Sequence, residues 1–165
     1  MTGLEVCSRS ADDTHALGVR LAALLMPGDV VVLTGDLGAG KTVLAKGIAA
    51  GLGVSEPVVS PTFTIVREYE GDIPLQHLDV YRLDHFQEVI DLGLDELLDG
   101  HAVTIVEWGE AVSALLPVDR LEVSLLLLPP EEADDDTRVV ELHGVGPAWA
   151  ARSSALVAAA NGAGA

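Results

Sequence analysis

Val30-Val31-Val32-Leu33-Thr34-Gly35-Asp36-Leu37-Gly38-Ala39-Gly40-Lys41-Thr42 is the stretch that decides the fold. Its first four residues are apolar without alternation and three of them are β-branched, the pattern of a strand covered on both faces. From Gly35 to Thr42 every fixed position of G-x-x-x-x-G-K-[ST] is filled. The glycines let the backbone curl so that successive N–H groups point inward at a phosphate chain, and a helix from about Thr42 adds its positive end. Lys41 would bridge the terminal phosphates, and the Thr42 hydroxyl would ligate magnesium. A glycine-rich strand-to-helix turn with no ligand is the competing reading. The buried strand before the motif and the helix after it speak against that, as does the chain's use of one of its two lysines at this position.

Working outward, the chain alternates strands and helices. Leu4 to Val6 reads as a short extended segment, and Ser10 as a helix N-cap with Asp12 and Asp13 in the first turn. Leu17, Leu21, Leu24 and Leu25 recur at helical spacing until Pro27-Gly28 ends the segment. The helix that follows the loop stops near Gly53, a C-cap glycine. Thr62 to Glu68 and Leu75 to Tyr81 read as a hairpin about the Gly71-Asp72 turn. A helical stretch from Phe86 to Leu98, interrupted by Gly93, leads to the strand Ala102 to Val106. Ala111 to Leu116 reads as helix, Leu121 to Leu128 and Arg138 to His143 as strands. Between those strands, Pro129 to Thr137 is an acidic, solvated loop. The expected architecture is α/β, with a largely parallel central sheet and an antiparallel hairpin. Residues 1–146 form the expected domain. Residues 147–165 are an alanine-rich C-terminal helix from Trp149 and a tail that frays after Asn161-Gly162.

A nucleotide-bound magnesium calls for a carboxylate at the C-terminal end of a neighbouring buried strand. Two residues qualify. Glu107 ends the apolar run Val103-Thr104-Ile105-Val106, and Asp79 lies in His77-Leu78-Asp79-Val80-Tyr81-Arg82. Alternation puts His77, Asp79 and Tyr81 on one face of their strand, lining a site or facing water. Ser60-Pro61-Thr62-Phe63-Thr64 offers hydroxyls on a proline-restricted turn, either a switch closing on a γ-phosphate or an ordinary turn entering a strand. Trp108 reads as a packing residue. The five histidines show no metal-ligand spacing. A guanine-specific Asn/Thr-Lys-x-Asp motif is absent, since Lys46 is followed by Gly47-Ile48, so ATP is favoured over GTP.

The 165 residues carry 26 acids against nine Lys/Arg, a formal charge of −17. That field opposes direct capture of a nucleic-acid backbone, so any tRNA is expected to be reached only through partners. Cys7 is the single cysteine, which excludes an intramolecular disulfide framework and a cysteine-ligated zinc site. No apolar run approaches the roughly 20 residues needed to span a bilayer, and no basic-then-apolar leader is visible. A cytoplasmic protein with no membrane partner is the expectation.

GDLGAGKT at 35–42, SPTFT at 60–64, HLDVYR at 77–82 and VEW at 106–108, in that order and spacing, resemble the TsaE (YjeE) family of bacterial ATPases of tRNA threonylcarbamoyladenosine synthesis. The resemblance covers about residues 4 to 145. The acidic loop and the alanine-rich tail have no counterpart in it. It implies a P-loop NTPase-like three-layer α/β fold that binds ATP and Mg2+ and hydrolyses ATP slowly when alone. It also implies action with the TsaD and TsaB proteins, which transfer a threonylcarbamoyl group to N6 of adenosine 37 in tRNA. Hydrolysis would reset that complex between turnovers.

Carried over by position, the resemblance puts Gly38, Ala39, Gly40, Lys41 and Thr42 on the phosphates, and Thr42 and Glu107 on magnesium. Lys41 and Asp79 become catalytic candidates, and Thr62 part of a switch. Ser10 to Thr14 would lie near the adenine. An ATP-gated docking module without essential turnover, and a small-molecule kinase, are the competing classes. Against the kinase, only Arg67 and Arg82 lie mid-chain, with no arginine-rich lid.

Overall fold

The structure, a computed structural model, describes residues 3–60, 66–80, 86–91, 93–132, 134 and 136–162. Seven strands among them form one sheet: β1 (Leu4–Ser8), β2 (Val30–Gly35), β3 (Val66–Tyr69), β4 (Leu75–Asp79), β5 (Val103–Glu107), β6 (Arg120–Leu127) and β7 (Arg138–Val145). Their spatial order is β1-β7-β6-β2-β5-β4-β3. The helices are α1 (Ala11–Ala22), α2 (Lys41–Gly51), α3 (Phe86–Asp91), α4 (Leu94–Leu97), α5 (Pro147–Ala151) and α6 (Ser153–Ala160), with a 3-10 helix at Gly109–Leu115.

The middle strands β6, β2, β5 and β4 run parallel, as the apolar runs indicate. The edges are antiparallel, and more extensively than a single hairpin: β3 pairs β4, but β6 also pairs β7 and β7 pairs β1. The reason lies in the connection between β6 and β7. A parallel return needs a crossover of a dozen or more residues, and the acidic segment 128–137 is only ten residues long. The expected strand from Thr62 begins, within the described residues, at Val66. The helix after the loop starts one residue early, at Lys41. The stretch expected as helix from Ala111 is the 3-10 turn.

Alternation along β2 divides the interior in two. Val31 and Leu33 join the large core with Leu17, Leu21, Leu44, Ile48 and Trp149. Val30 and Val32 join the smaller one with Leu78, Val106, Leu94 and Val112. Helices therefore pack on both faces, in three layers. Ser10 caps α1 as its sequence suggests, accepting from the Asp13 N–H at 3.1 Å. Against α1 lies α2 at close range: a Cβ on Gly18 would sit 2.5 Å from the Leu44 carbonyl oxygen, and one on Gly47 would overlap that of His15. Only glycine lets the two backbones approach so closely, and this contact fixes where α2, and so the loop before it, stands.

The alanine-rich segment packs into the large core through Trp149, Leu156, Ala159 and Ala160. Arg152 staples it to the rest. Its guanidinium forks onto Asp29 at 2.6 and 2.8 Å, donates to the Leu24 carbonyl at 3.0 Å and lies 4.0 Å above the Trp149 ring. These bonds with Asp29 raise the Arg152 pKa above its ordinary value. Arg152→Ala should lower the unfolding free energy by about 2 kcal/mol, because it strips a partly buried carboxylate of a bidentate donor. Denaturant titration checks this. A loss under ~0.5 kcal/mol would mean that the staple behaves as a solvated ion pair.

Candidate functional site

Three parallel strands deliver the candidate residues to one edge of the sheet. β2 runs into the glycine-rich loop, and beside it β5 ends at Glu107, whose register partner on β2 is Leu33. β4 lies next, with Asp79 directly across from Glu107. That is the carboxyl edge, where open parallel sheets bind ligands. The two acids from separate stretches of sequence are thus neighbours.

Ser60 ties them together. Its Oγ lies 3.3 Å from Asp79 Oδ2 and 3.4 Å from Glu107 Oε2, and its one proton can serve only one of them at a time. His77 supplies a second donor: Nε2 donates to Glu107 Oε2 at 3.0 Å. A carboxylate only accepts, so Nε2 carries a proton in this bond. His77 is 0% exposed and Glu107 2%. Among the described residues, His77 Nδ1 has no hydrogen-bond partner.

The loop faces this pair. Gly38 and Gly40 take positive φ of 79° and 104°, conformations that glycine adopts without strain. Lys41, 7% exposed, turns its ammonium back onto the loop, donating to the Gly35 carbonyl at 2.5 Å and that of Asp36 at 2.9 Å. The same nitrogen stands 4.1 Å above the ring of Trp108. Trp108 packs partly against the smaller core, as a packing residue would, yet it also forms this floor under Lys41. It holds φ 61° and is the only described residue other than glycine with positive φ. Strain of that kind in a bulky residue marks a place where position matters more than comfort. Thr42 follows in the first turn of α2. On the far side of the loop, a Cβ placed on Gly40 would lie 3.9 Å from Thr14 Cγ2, so the start of α1 borders the loop.

Lys41, Asp79, Glu107 and the Gly38-Ala39-Gly40 turn therefore share one edge, with Thr42 at the helix start beside them. Thr62 lies outside the described residues. Ser60 and His77, for which a place in the site and an ordinary turn or solvent-facing role were both open, join the site, and so does Arg138, which had not been singled out. His77 carried a signal, a polar residue on the Asp79 face of an otherwise apolar strand. Ser60 carried a weaker one, a hydroxyl before proline. Arg138 carried none.

Fold and site together define a three-layer α/β protein with a glycine-rich loop at the end of its central strand and paired carboxylates on the next two strands. The sequence model of threonylcarbamoyl adenosine biosynthesis protein TsaE matches residues 8–134. The tRNA threonylcarbamoyladenosine biosynthesis protein TsaE of Bacillus subtilis is 46% identical over 136 residues, 82% of each chain. That of Streptomyces coelicolor is 44% identical over 146 residues, 86% of this chain and 97% of the relative. The crystal structure of Bacillus subtilis YdiB superposes with a TM-score of 0.79 at 38% identity, covering 94% of this chain and 95% of that one. The chain belongs to the TsaE family of tRNA threonylcarbamoyladenosine biosynthesis. No helix among the described residues is long and apolar enough to cross a membrane.

Proposed function

We propose that the chain is a magnesium-dependent P-loop ATPase whose turnover serves threonylcarbamoyl modification of N6 of adenosine 37 in tRNA, through the TsaD and TsaB proteins. The observation that carries this reading is the convergence of Lys41, Asp79 and Glu107 at one sheet edge. Two carboxylates lie within 3.4 Å of one shared hydroxyl, an excess of negative charge that a divalent cation relieves. The donors are hard oxygens, which suits magnesium, an ion commonly held by one or two carboxylates plus phosphate oxygens and water. Thr42 and Glu107 would hold it. It would neutralise charge building on the phosphates.

The chain's own residues have separable tasks. The loop N–H groups and the α2 N-terminus bind the phosphate chain. Lys41 exchanges two carbonyl partners for phosphate oxygens. Asp79, less deeply buried than Glu107, orients the attacking water or accepts its proton. Thr62 would close on the γ-phosphate as a switch. The start of α1, beside Gly40, lies where the adenine would extend. tRNA is reached through the partners, because the −17 field repels its backbone. The protein is expected to be cytoplasmic.

Single-turnover hydrolysis of ATP, with and without TsaD and TsaB, tests the reading. Slow cleavage alone, accelerated by the partners and dependent on magnesium, is expected. A modification cycle that runs equally well on a non-hydrolysable ATP analogue would replace the enzyme with a nucleotide-gated docking module.

A further inference from the structure

Arg138 opens β7 at the end of the acidic connection and is about a hundred positions from the glycine-rich loop in sequence. In space it touches that loop. Its Nε donates to the Ala39 carbonyl at 3.2 Å and its Nη2 to the Gly38 carbonyl at 3.3 Å, while Nη1 returns to Thr137 O at 3.0 Å. The sheet explains the reach. Leu125 of β6 pairs with Gly35 on one side and Val140 on the other, so the end of β6 and the start of β7, where Leu127 pairs with Arg138, run on past the end of β2 beside the loop.

A trans peptide points its N–H opposite to its C=O. The peptide that offers the Ala39 carbonyl carries the Gly40 N–H at its other end, so that donor faces away from the guanidinium. The Gly38 carbonyl shares its peptide with the Ala39 N–H, which donates to Asp36 O at 3.0 Å, an oxygen that Lys41 also uses. Arg138 thus grips two consecutive peptides by their carbonyls. A cation at the carbonyl end polarises the peptide and makes its N–H a stronger donor. It also restrains a segment flanked by Gly38 and Gly40, which by themselves leave the backbone free and would have to be ordered on binding.

We propose that Arg138 is a positioning residue of the phosphate loop: it orients and polarises the Ala39–Gly40 peptide so that the Gly40 N–H is presented to a nucleotide's phosphate chain. The proposal rests on the nucleotide-binding reading above. It gives the loop a cation that acts from outside the motif, complementary to Lys41 within it.

Calorimetric titration of wild type, Arg138→Gln, Arg138→Lys and Arg138→Ala with magnesium AMP-PNP, and with magnesium tripolyphosphate as a phosphate-only probe, tests it. Arg138→Gln and Arg138→Ala should weaken both probes by about tenfold, the scale of a partly exposed charge-assisted contact. Arg138→Lys should recover part of the loss, since an ammonium keeps the charge but not the fork. Millimolar guanidinium chloride should restore affinity to Arg138→Ala. A variant that had merely lost stability would gain nothing from guanidinium, whose denaturing effect at millimolar concentration is negligible. In amide spectra of the free protein, Arg138→Gln should shift the Ala39 and Gly40 resonances.

Wild-type affinity for both probes in Arg138→Gln would overturn the proposal while leaving the nucleotide reading intact. A loss that Arg138→Lys shares in full and guanidinium does not repair would overturn it too, assigning Arg138 to the fold alone. Failure of the wild-type chain to bind either probe would overturn both.

Discussion

Lys41→Ala is expected to lower affinity for magnesium ATP by about 10²–10³-fold, the cost of removing one partner from a desolvated charge pair. The ammonium is nearly out of water, held by two carbonyl dipoles and the Trp108 ring. On the proposed reading, nucleotide binding would exchange those dipoles for phosphate oxygens that carry full charge, so the side chain would contribute far more to the complex than to the fold. Truncation removes bonds to two loop carbonyls and a ring contact at the edge of the smaller core, where Trp108 packs, and takes no residue from either core. The melting transition should therefore move by little, and that transition is the control for a folded variant. Wild-type ATP affinity in a folded Lys41→Ala protein would show that the loop is not the nucleotide site.

The parts of this molecule that were legible in its sequence are those written locally. The run Val30–Leu33 specifies a strand covered on both faces because each side chain needs an apolar partner, and the structure gives Val31 and Val30 to different cores. Ser10 and the Gly71-Asp72 turn act within a few residues of themselves, so their chemistry could be read directly. Asp79 and Glu107 were legible as strand ends, but their being register partners depends on β4 lying next to β5. Strand adjacency is not a local property.

The same limit hid Arg138, which meets the loop only because β6 lies between β2 and β7. It also hid the antiparallel edge, where β7 returns on β6 and then pairs with β1 at the other end of the chain. Trp108 was read correctly as a packing residue, but its second role was not legible, for another reason. Its residue type indicates packing, whereas its left-handed backbone and its place under Lys41 follow from how β5 ends beside the loop.

The remaining large effect concerns how the two carboxylates divide their work. Glu107 is the deeper, and His77 and Ser60 hold its Oε2 while the strand end aims it at the loop. A side chain so firmly oriented suits an ion that must find its ligand already in place. Asp79 is less buried than Glu107, an arrangement that suits a group handling water. Glu107→Gln should therefore weaken ATP binding mainly when magnesium is present. The amide is the variant of choice, because its carbonyl still accepts from His77 and avoids stranding that buried donor, whose exposure to no partner would cost about 1–3 kcal/mol. Asp79→Ala should spare binding and depress turnover by about 10²-fold, the usual scale for losing a general base or a water-orienting group. Calorimetry with and without magnesium, beside single-turnover rates, separates the two. If Asp79 instead governs magnesium dependence and Glu107 the rate, the roles are reversed. Equal losses in both quantities for both variants would mean that the carboxylates, already joined through one hydroxyl, act as a single metal shell.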